Sequence, residues 1–211
     1  DLDPADYAAQ LQDERTRLER IGTEGVEISV AASFNLSYEQ LAYEAARDCL
    51  PAADPAKDRA HVDGVYFGST TLPYADRQNA GIVAAALGLG EDIASVDIAS
   101  SQRAGTSALI AALDAVAGGR LNAPLLVASD KRKTRAASSQ ELAYGDGAAA
   151  FTVGRDNVVA KLVGSHTLTL DFVDHFRGEG EDFDYGWEER WIRDEGYTKI
   201  VPVAVKAILE K

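Results

Sequence analysis

The sequence IASVDIASSQRAGTSALIAALDAVAGG, residues 93–119, contains a strand pattern followed at once by a helix pattern. Ile93–Ala99 carries the apolar and β-branched residues that favour a strand, whereas the alanine-rich Ala104–Ala117 favours a helix. Gly118 and Gly119 follow, and glycine commonly ends a helix. This succession predicts one repeating unit of an α/β domain.

Comparable elements lie on both sides of this stretch. Strand and helix alternate three times before two strands separated by a polar turn, which predicts an α/β fold with helices layered on a mainly parallel sheet. The additional predicted elements are a helix at about Tyr38–Cys49, a strand at Val62–Gly68, a helix at Asn79–Leu87, a strand at Leu125–Ala128 and a hairpin of Ala148–Val153 with Val158–Val163.

Composition divides the chain into three predicted parts. Residues 1–36 are predicted to be an N-terminal helix and a connecting segment with a short strand pattern, and residues 37–165 form the α/β region. Residues 166–211 are rich in Asp, Glu, Arg and aromatic residues, which predicts an insertion or lid and then a helix at Tyr197–Lys211. The chain has no methionine, so we expect that it was processed, trimmed or excised from a longer protein.

The charge balance and the cysteine count exclude several classes of protein. The 211 residues include 21 Lys and Arg against 34 Asp and Glu, and the resulting net charge of −13 argues against a nucleic-acid partner. No apolar run approaches the roughly 20 residues of a membrane span. The single cysteine, Cys49, predicts a reducing, cytoplasmic compartment. The three histidines are scattered, so no metal site is predicted.

A candidate catalytic position lies between the strand and the helix of residues 93–119. Ser100 and Ser101 stand where α/β enzymes commonly display a nucleophile, and the following helix N-terminus can stabilise an oxyanion. The flanking glycines of the G-x-S-x-G motif are absent, however, and a serine at this position is often a helix cap. Both interpretations stay open.

The same segment shows a resemblance to a known family. Asp97–Leu109 resembles the nucleophile segment of hydroxymethylglutaryl-CoA synthases and ketoacyl synthase III enzymes, which belong to the thiolase superfamily. Gly68–Ala75 is similar to the segment after the second strand of such synthases, and Tyr144–Ala150 resembles their Gly-Asp-Gly-Ala turn. Ser165–Arg177 resembles the insertion between their two halves. Four matches in the family's order identify residues 37–165 as a thiolase-like half-domain.

The resemblance implies a duplicated α/β fold, a dimer and carbon–carbon bond formation on CoA thioesters. It implies that a cysteine takes the acyl group, a glutamate acts as acid and base, and a histidine from the second half assists. In this sequence Gln102 occupies the cysteine position and Thr70 the glutamate position, so neither residue type supplies the family's usual chemistry. Ser101 is the alternative catalytic residue. The implied substrate-binding residues are Arg103, Ala104, Gly105, Gly147 and His166.

Three functions are compatible with these departures. The favoured one is an acyl-CoA-binding subunit that lacks the nucleophilic cysteine and binds a CoA thioester, or supports an active thiolase or acyltransferase partner. It would form a homo- or hetero-oligomer with a thiolase or a zinc-ribbon/OB-fold protein, without a covalent cofactor. The alternatives are an active acyltransferase that uses Ser100 or Ser101, and the structural half of a split subunit. Trp187, Trp191 and Tyr197 are candidates to line an acyl pocket, with ordinary packing as the alternative.

Overall fold

The computed structural model describes residues 38–50 and 59–210, which separate into two compact units. Among these residues, the first unit contains 38–50, 59–131 and 145–156, and the second contains 132–144 and 157–210. The helix and the strand expected within residues 1–36 lie outside the described residues. The predicted boundaries at 1–36, 37–165 and 166–211 stay a prediction.

The first unit is an α/β domain built on one four-stranded sheet. The sheet order is β2-β1-β3-β4, in which β1 pairs in parallel with β2 and β3, and β4 pairs antiparallel with β3. This arrangement confirms the predicted α/β class and the mainly parallel sheet. Its elements in chain order are α1 (Tyr38–Cys49), β1 (Gly64–Gly68), α2 (Asn79–Ala86), β2 (Ala94–Ile98), α3 (Ala104–Ala117), β3 (Pro124–Asp130) and β4 (Gly147–Thr152).

The core lies on both faces of the sheet because side chains alternate along a strand. Val65 and Phe67 of β1 join the apolar cluster that includes α1 and α2, whereas Tyr66 between them joins the cluster against α3. Leu126 and its neighbours in β3 divide in the same way. β1 is therefore buried along its whole length, and the sheet is covered by a helical layer on each side.

The predicted second strand of the hairpin is wrong. Residues 157–174 contain no helix or strand, and Val159 and Val163 are fully exposed. Alternating apolar residues indicate one face of a strand, but a strand also needs a hydrogen-bonding partner. The chain turns away after β4, where the Arg155 guanidinium donates to the carbonyl of Ala117 at 3.1 Å and so ties this turn to the end of α3.

The second unit is small and rich in aromatic residues, as its composition predicted. Five rings follow one another at centroid distances of 4.6–6.1 Å, in the order Phe172, Trp191, Trp187, Tyr185 and Phe176. Its elements are α4 (Ser139–Ala143), β5 (His175–Phe176), β6 (Tyr185–Gly186), α5 (Glu189–Trp191), a π-helix (Ile192–Tyr197) and α6 (Thr198–Leu209). Across the described ranges, we find no helix with the length and apolar character needed to cross a membrane.

Candidate functional site at the carboxyl edge of the sheet

The parallel strands bring the predicted site residues of the first unit to one edge of the sheet. In the register of the sheet, Gly68 at the end of β1 lies opposite Ile98 of β2 and Ala128 of β3. The segment after β1 is held there, because the Ser69 N–H donates to the carbonyl of Ile98 at 3.0 Å. The loops that follow β1 and β2 therefore meet beside Asp130, at the carboxyl ends of the strands, where open α/β sheets bind ligands.

Two glycines let the first turn of α3 approach this edge closely. A Cβ on Gly68 would lie 2.7 Å from the carbonyl carbon and oxygen of Ala104, and one on Gly105 would lie 3.2 Å from the Cβ of Ala128. Only a residue without a side chain fits at Gly68 with the helix in this position. The exposed Gln102, which directly precedes α3 with Arg103, is thereby placed over the carboxyl edge.

Asp130, at the end of β3, organises the loop that carries Thr70. One carboxylate oxygen, Oδ1, accepts from the Ser69 hydroxyl at 3.0 Å, from the Thr70 N–H at 2.7 Å and hydroxyl at 2.9 Å, and from the Thr71 hydroxyl at 2.9 Å. Ser69 is buried and Thr70 is half-buried. The Thr70 hydroxyl donates to Asp130 and is thus held in one orientation.

The antiparallel strand β4 begins at the same edge. Its first residue, Gly147, pairs with Asp130, and a Cβ on Gly147 would meet no other atom within 4 Å. Thr70, Gln102 and Gly147 are therefore all on the carboxyl edge of the first unit. Sequence reasoning did not single out Asp130, although an aspartate that closes a buried apolar strand was a usable signal.

The turn between β2 and α3 is locally strained. Ser100 has φ of 65°, a left-handed conformation that few residues other than glycine adopt. The Ser101 hydroxyl accepts from the Arg103 N–H at 3.1 Å, and the Ser101 carbonyl accepts from the Ala104 N–H at 2.8 Å. These bonds favour the turn-forming interpretation of Ser101, because its oxygen already serves the backbone at the start of the helix.

The side chains of Gln102 and Thr70 give this edge hydrogen-bonding groups. The Gln102 carboxamide can donate and accept, but it cannot form a thioester. The Thr70 hydroxyl together with Asp130 presents an oxygen-rich surface that can hold a polar group. The edge is therefore suited to orienting a carbonyl or amide of a bound molecule.

The sole cysteine of the chain lies toward the other end of β4. Cys49, at the end of α1, interacts with Thr152, the last residue of β4, about 17 Å along the strand from Gly147 at about 3.4 Å per residue. Burial raises the pKa of the Cys49 thiol, and hydrogen bonds from Thr152 lower it by less. The thiol is therefore protonated near neutrality and lies far from the residues of the carboxyl edge.

The remaining predicted residues belong to the second unit. His166 is half-buried in the segment 157–174, and its role in substrate binding stays a prediction. His175 Nδ1 lies 2.7 Å from the Asp174 carboxylate. Within residues 38–50 and 59–210, no three His, Cys, Asp or Glu side chains are grouped so that they could hold a metal ion.

The second unit also contains a small, mainly apolar cavity. It has a volume of about 160 Å³ and is lined by Phe172, Ile192 and Tyr197 among others. Trp187 and Trp191 belong instead to the series of stacked rings. A role for these aromatic residues in holding an acyl chain stays a prediction.

Comparison with curated proteins identifies relatives by sequence. The chain is 32% identical over 172 residues to a hydroxymethylglutaryl-CoA synthase of Methanopyrus kandleri, an alignment that covers 81% of this chain and 48% of the relative. The chain thus spans about half the length of the curated relatives it matches. No family model matches the sequence.

Comparison with solved structures identifies the fold. An HMG-CoA synthase complexed with CoA aligns with a TM-score of 0.67 at 21% identity, covering 81% of this chain and 42% of that one. Xanthomonas campestris OleA with bound lauric acid and lauroyl-CoA also aligns with a TM-score of 0.67, at 18% identity, covering 96% and 66%. The expected resemblance is thereby confirmed: this is a hydroxymethylglutaryl-CoA synthase-like chain with the thiolase-like fold.

Proposed function

We propose that the chain binds a CoA thioester at the carboxyl edge of its sheet without forming a covalent acyl intermediate. The observation that carries the proposal is the position of Gln102, which precedes α3 at this edge while Cys49 lies toward the other end of β4. The ligand class is supported by the sequence relatives, which are hydroxymethylglutaryl-CoA synthases, and by a neighbour in complex with CoA.

The proposed roles of the edge residues follow from their chemistry. Gln102 donates its amide N–H groups to the thioester carbonyl, and the Thr70 hydroxyl, held by Asp130, accepts from an amide of the pantetheine arm. Arg103, Ala104 and Gly105 provide charge and backbone groups at the start of α3. Gly147 leaves the adjacent space free of a side chain.

We further propose that the chain acts within an oligomer that contains an active thiolase or acyltransferase, with a zinc-ribbon/OB-fold protein as a third member. Gln102 and Thr70 supply neither the thiol nor the carboxylate that the resemblance implies, so an active partner would supply the condensing chemistry. The split-subunit alternative predicts the same assembly without ligand binding. The reducing, cytoplasmic compartment inferred from the single cysteine stays a prediction.

The first experiment separates binding from covalent transfer. Calorimetric titration with acetyl-CoA is expected to give saturable binding, and incubation with radiolabelled acetyl-CoA followed by denaturation is expected to leave no label on the protein. A stable acyl adduct on the chain would contradict the proposal. A titration without heat would favour the purely structural subunit.

The second experiment restores a thiol at the proposed position. In a Cys49→Ala background, Gln102→Cys is expected to gain a covalent acetyl group from acetyl-CoA, because the new thiol stands at the N-terminus of α3 where a thiolate is stabilised. Ser101→Cys in the same background is the matched control. Equal labelling of both cysteine variants, or of neither, would show that position 102 does not face the thioester.

A further inference from the structure

The second unit contains a polar cavity that the proposed function does not use. It has a volume of about 250 Å³ and forms between the segments 133–144 and 183–186, all within the second unit. We name it the Arg135 cavity. The lining residues that matter here are Lys133, Thr134, Arg135, Ser138, Tyr144 and Asp184.

Arg135 brings an uncompensated positive charge to this cavity. Its guanidinium lies 5.5 Å from the centroid of the Phe183 ring, so an aromatic face supports it. In the stretches that the structure covers, no carboxylate lies within ion-pair distance of Arg135. Arg135 is exposed at the cavity, so its guanidinium is open to an anionic ligand.

The carboxylate in the cavity wall does not cancel this charge. The Asp184 side chain is only 3% exposed and lies 3.0 Å from Arg132 Nη2 and 3.4 Å from Arg177 Nη1. Two guanidinium groups therefore face one carboxylate. The Lys133 ammonium group lies 2.6 Å from the Asp182 carboxylate, and both of these side chains are more than half exposed, so water and salt weaken that pair.

A second, independent feature is an unsatisfied hydroxyl. The Ser138 Oγ atom is buried and has no hydrogen-bond partner among the residues that the structure describes. Buried polar atoms in native proteins are nearly always hydrogen-bonded, so an unsatisfied one beside a cavity suggests that a ligand supplies the missing partner. Thr134, Arg135 and Lys133 add further donors to the same wall.

We propose that the Arg135 cavity binds a small oxyanion, a phosphate or carboxylate group, with Arg135 as the principal charge and Ser138 as a hydrogen-bond partner. An oxyanion offers several acceptor oxygens to the donors of Arg135, Lys133 and Ser138, while Arg132 and Arg177 face the Asp184 carboxylate of the same wall. The cavity is smaller than the about 300–1,000 Å³ typical of sites for whole small molecules, which suits a single anionic group. That group is either a free ion or the charged end of a longer ligand.

Titration with inorganic phosphate tests the proposal. The full chain is titrated at low and constant ionic strength, with chloride as the replaced anion, and binding is followed by calorimetry. We expect saturable binding that Arg135→Gln weakens at least ten-fold, whereas Arg135→Lys retains the charge and an intermediate affinity. Arg193→Gln is the matched control, because Arg193 is an exposed arginine of the same unit, paired with the adjacent Asp194, and its affinity should equal the wild type.

Two outcomes would overturn the proposal. One is an affinity for phosphate that is the same in wild type and Arg135→Gln, and the other is no saturable binding at all. Circular dichroism checks that each variant folds; if Arg135→Gln does not, Ser138→Ala decides, with an expected two- to three-fold loss of affinity. Because phosphate is titrated alone, failure of thioester binding at the carboxyl edge leaves this result intact.

A competition experiment with CoA identifies the source of the oxyanion. If CoA displaces phosphate from wild type, and Arg135→Gln weakens CoA binding as it weakens phosphate binding, the anion is a phosphate of the longer ligand. If phosphate binds unchanged in the presence of saturating CoA, the cavity takes a free anion. Both results support an oxyanion site that depends on Arg135.

Discussion

At each edge of the sheet in the first unit, one aspartate accepts hydrogen bonds from a neighbouring segment, but the groups that donate to it differ. At the amino edge, Asp63 accepts from the backbone N–H groups of Asn122 and Ala123, just before β3 begins. At the carboxyl edge, Asp130 accepts from the hydroxyls of Ser69 and Thr70 after β1 ends. Each carboxylate connects β1 to β3, but the first holds mainly backbone and the second also fixes side chains that a ligand can reach.

Cys49 and Gln102 also lie at opposite edges of this sheet. Cys49 contacts Thr152, which pairs with Leu125 near the amino edge, whereas Gln102 is at the carboxyl edge. The Cys49 thiol is therefore at the opposite end of the sheet from the loop that carries Thr70. Cys49 and Gln102 thus differ in their position on the sheet as well as in their chemistry.

The largest expected effect on stability comes from a substitution at the carboxyl end of β1. Gly68→Ala puts a methyl group 2.7 Å from backbone atoms of Ala104, which cannot move without shifting α3, so we expect a loss of about 3 kcal/mol in the free energy of unfolding. Urea denaturation measures it. The added methyl should also weaken acetyl-CoA binding, because α3 carries Gln102 directly before its first turn.

Gly64→Ala is the matched control at the other end of the strand. The nearest atom there is the Leu121 Cδ1 atom at 2.9 Å, the end of a flexible side chain. Since Leu121 can change rotamer, the cost should be about 1 kcal/mol or less, with acetyl-CoA binding unchanged. Equal losses of stability in the two variants would contradict the close approach of α3 to the carboxyl edge.

Substitution of Asp130 or Asp63 should have a smaller effect on stability, and it separates the two edges by their effect on binding. Asp130→Ala removes a charged acceptor from three hydroxyls and one N–H, and Asp63→Ala removes one from backbone amides, so each should lower the free energy of unfolding by about 2 kcal/mol. Only Asp130→Ala should weaken acetyl-CoA binding, by about ten-fold, because Thr70 loses its fixed orientation. If both variants weaken binding equally, the carboxyl edge is not the ligand site.

Local patterns predicted the helices and the buried strands well. The bounds Tyr38–Cys49 and Ala104–Ala117 are confirmed, and the strands at 64–68 and 94–98 are within two residues of prediction. Here apolar periodicity and helix-ending glycines act within one segment, so the sequence carries the information. The prediction that Thr70 and Gln102 belong to the candidate site came instead from the family resemblance.

What local patterns missed depends on long-range contacts. Asp130 acquires its role only when β1 and β3 lie side by side, since its partners are about sixty positions away in the chain. The strand expected at Val158–Val163 fails for the same reason. Its pattern is correct for a strand, but no pairing partner is present in the described part of the chain, and Arg155 directs the preceding turn toward the end of α3.

The smallest expected effect concerns the rate at which the Cys49 thiol, near the amino edge of the sheet, is alkylated. Burial raises the pKa of this thiol, so little thiolate forms at pH 7.5, and we expect iodoacetamide to alkylate the native chain about ten-fold more slowly than the urea-unfolded chain. The native rate should rise with pH beyond the range in which the unfolded thiol has already ionised.

The cysteine of Gln102→Cys, at the N-terminus of α3, should react faster than Cys49 at pH 7.5 because the helix dipole stabilises its thiolate. Mass spectrometry of digested samples separates the two sites. A native Cys49 that reacts at the unfolded rate would show that this thiol is accessible and ionised, and would remove the contrast between the two edges.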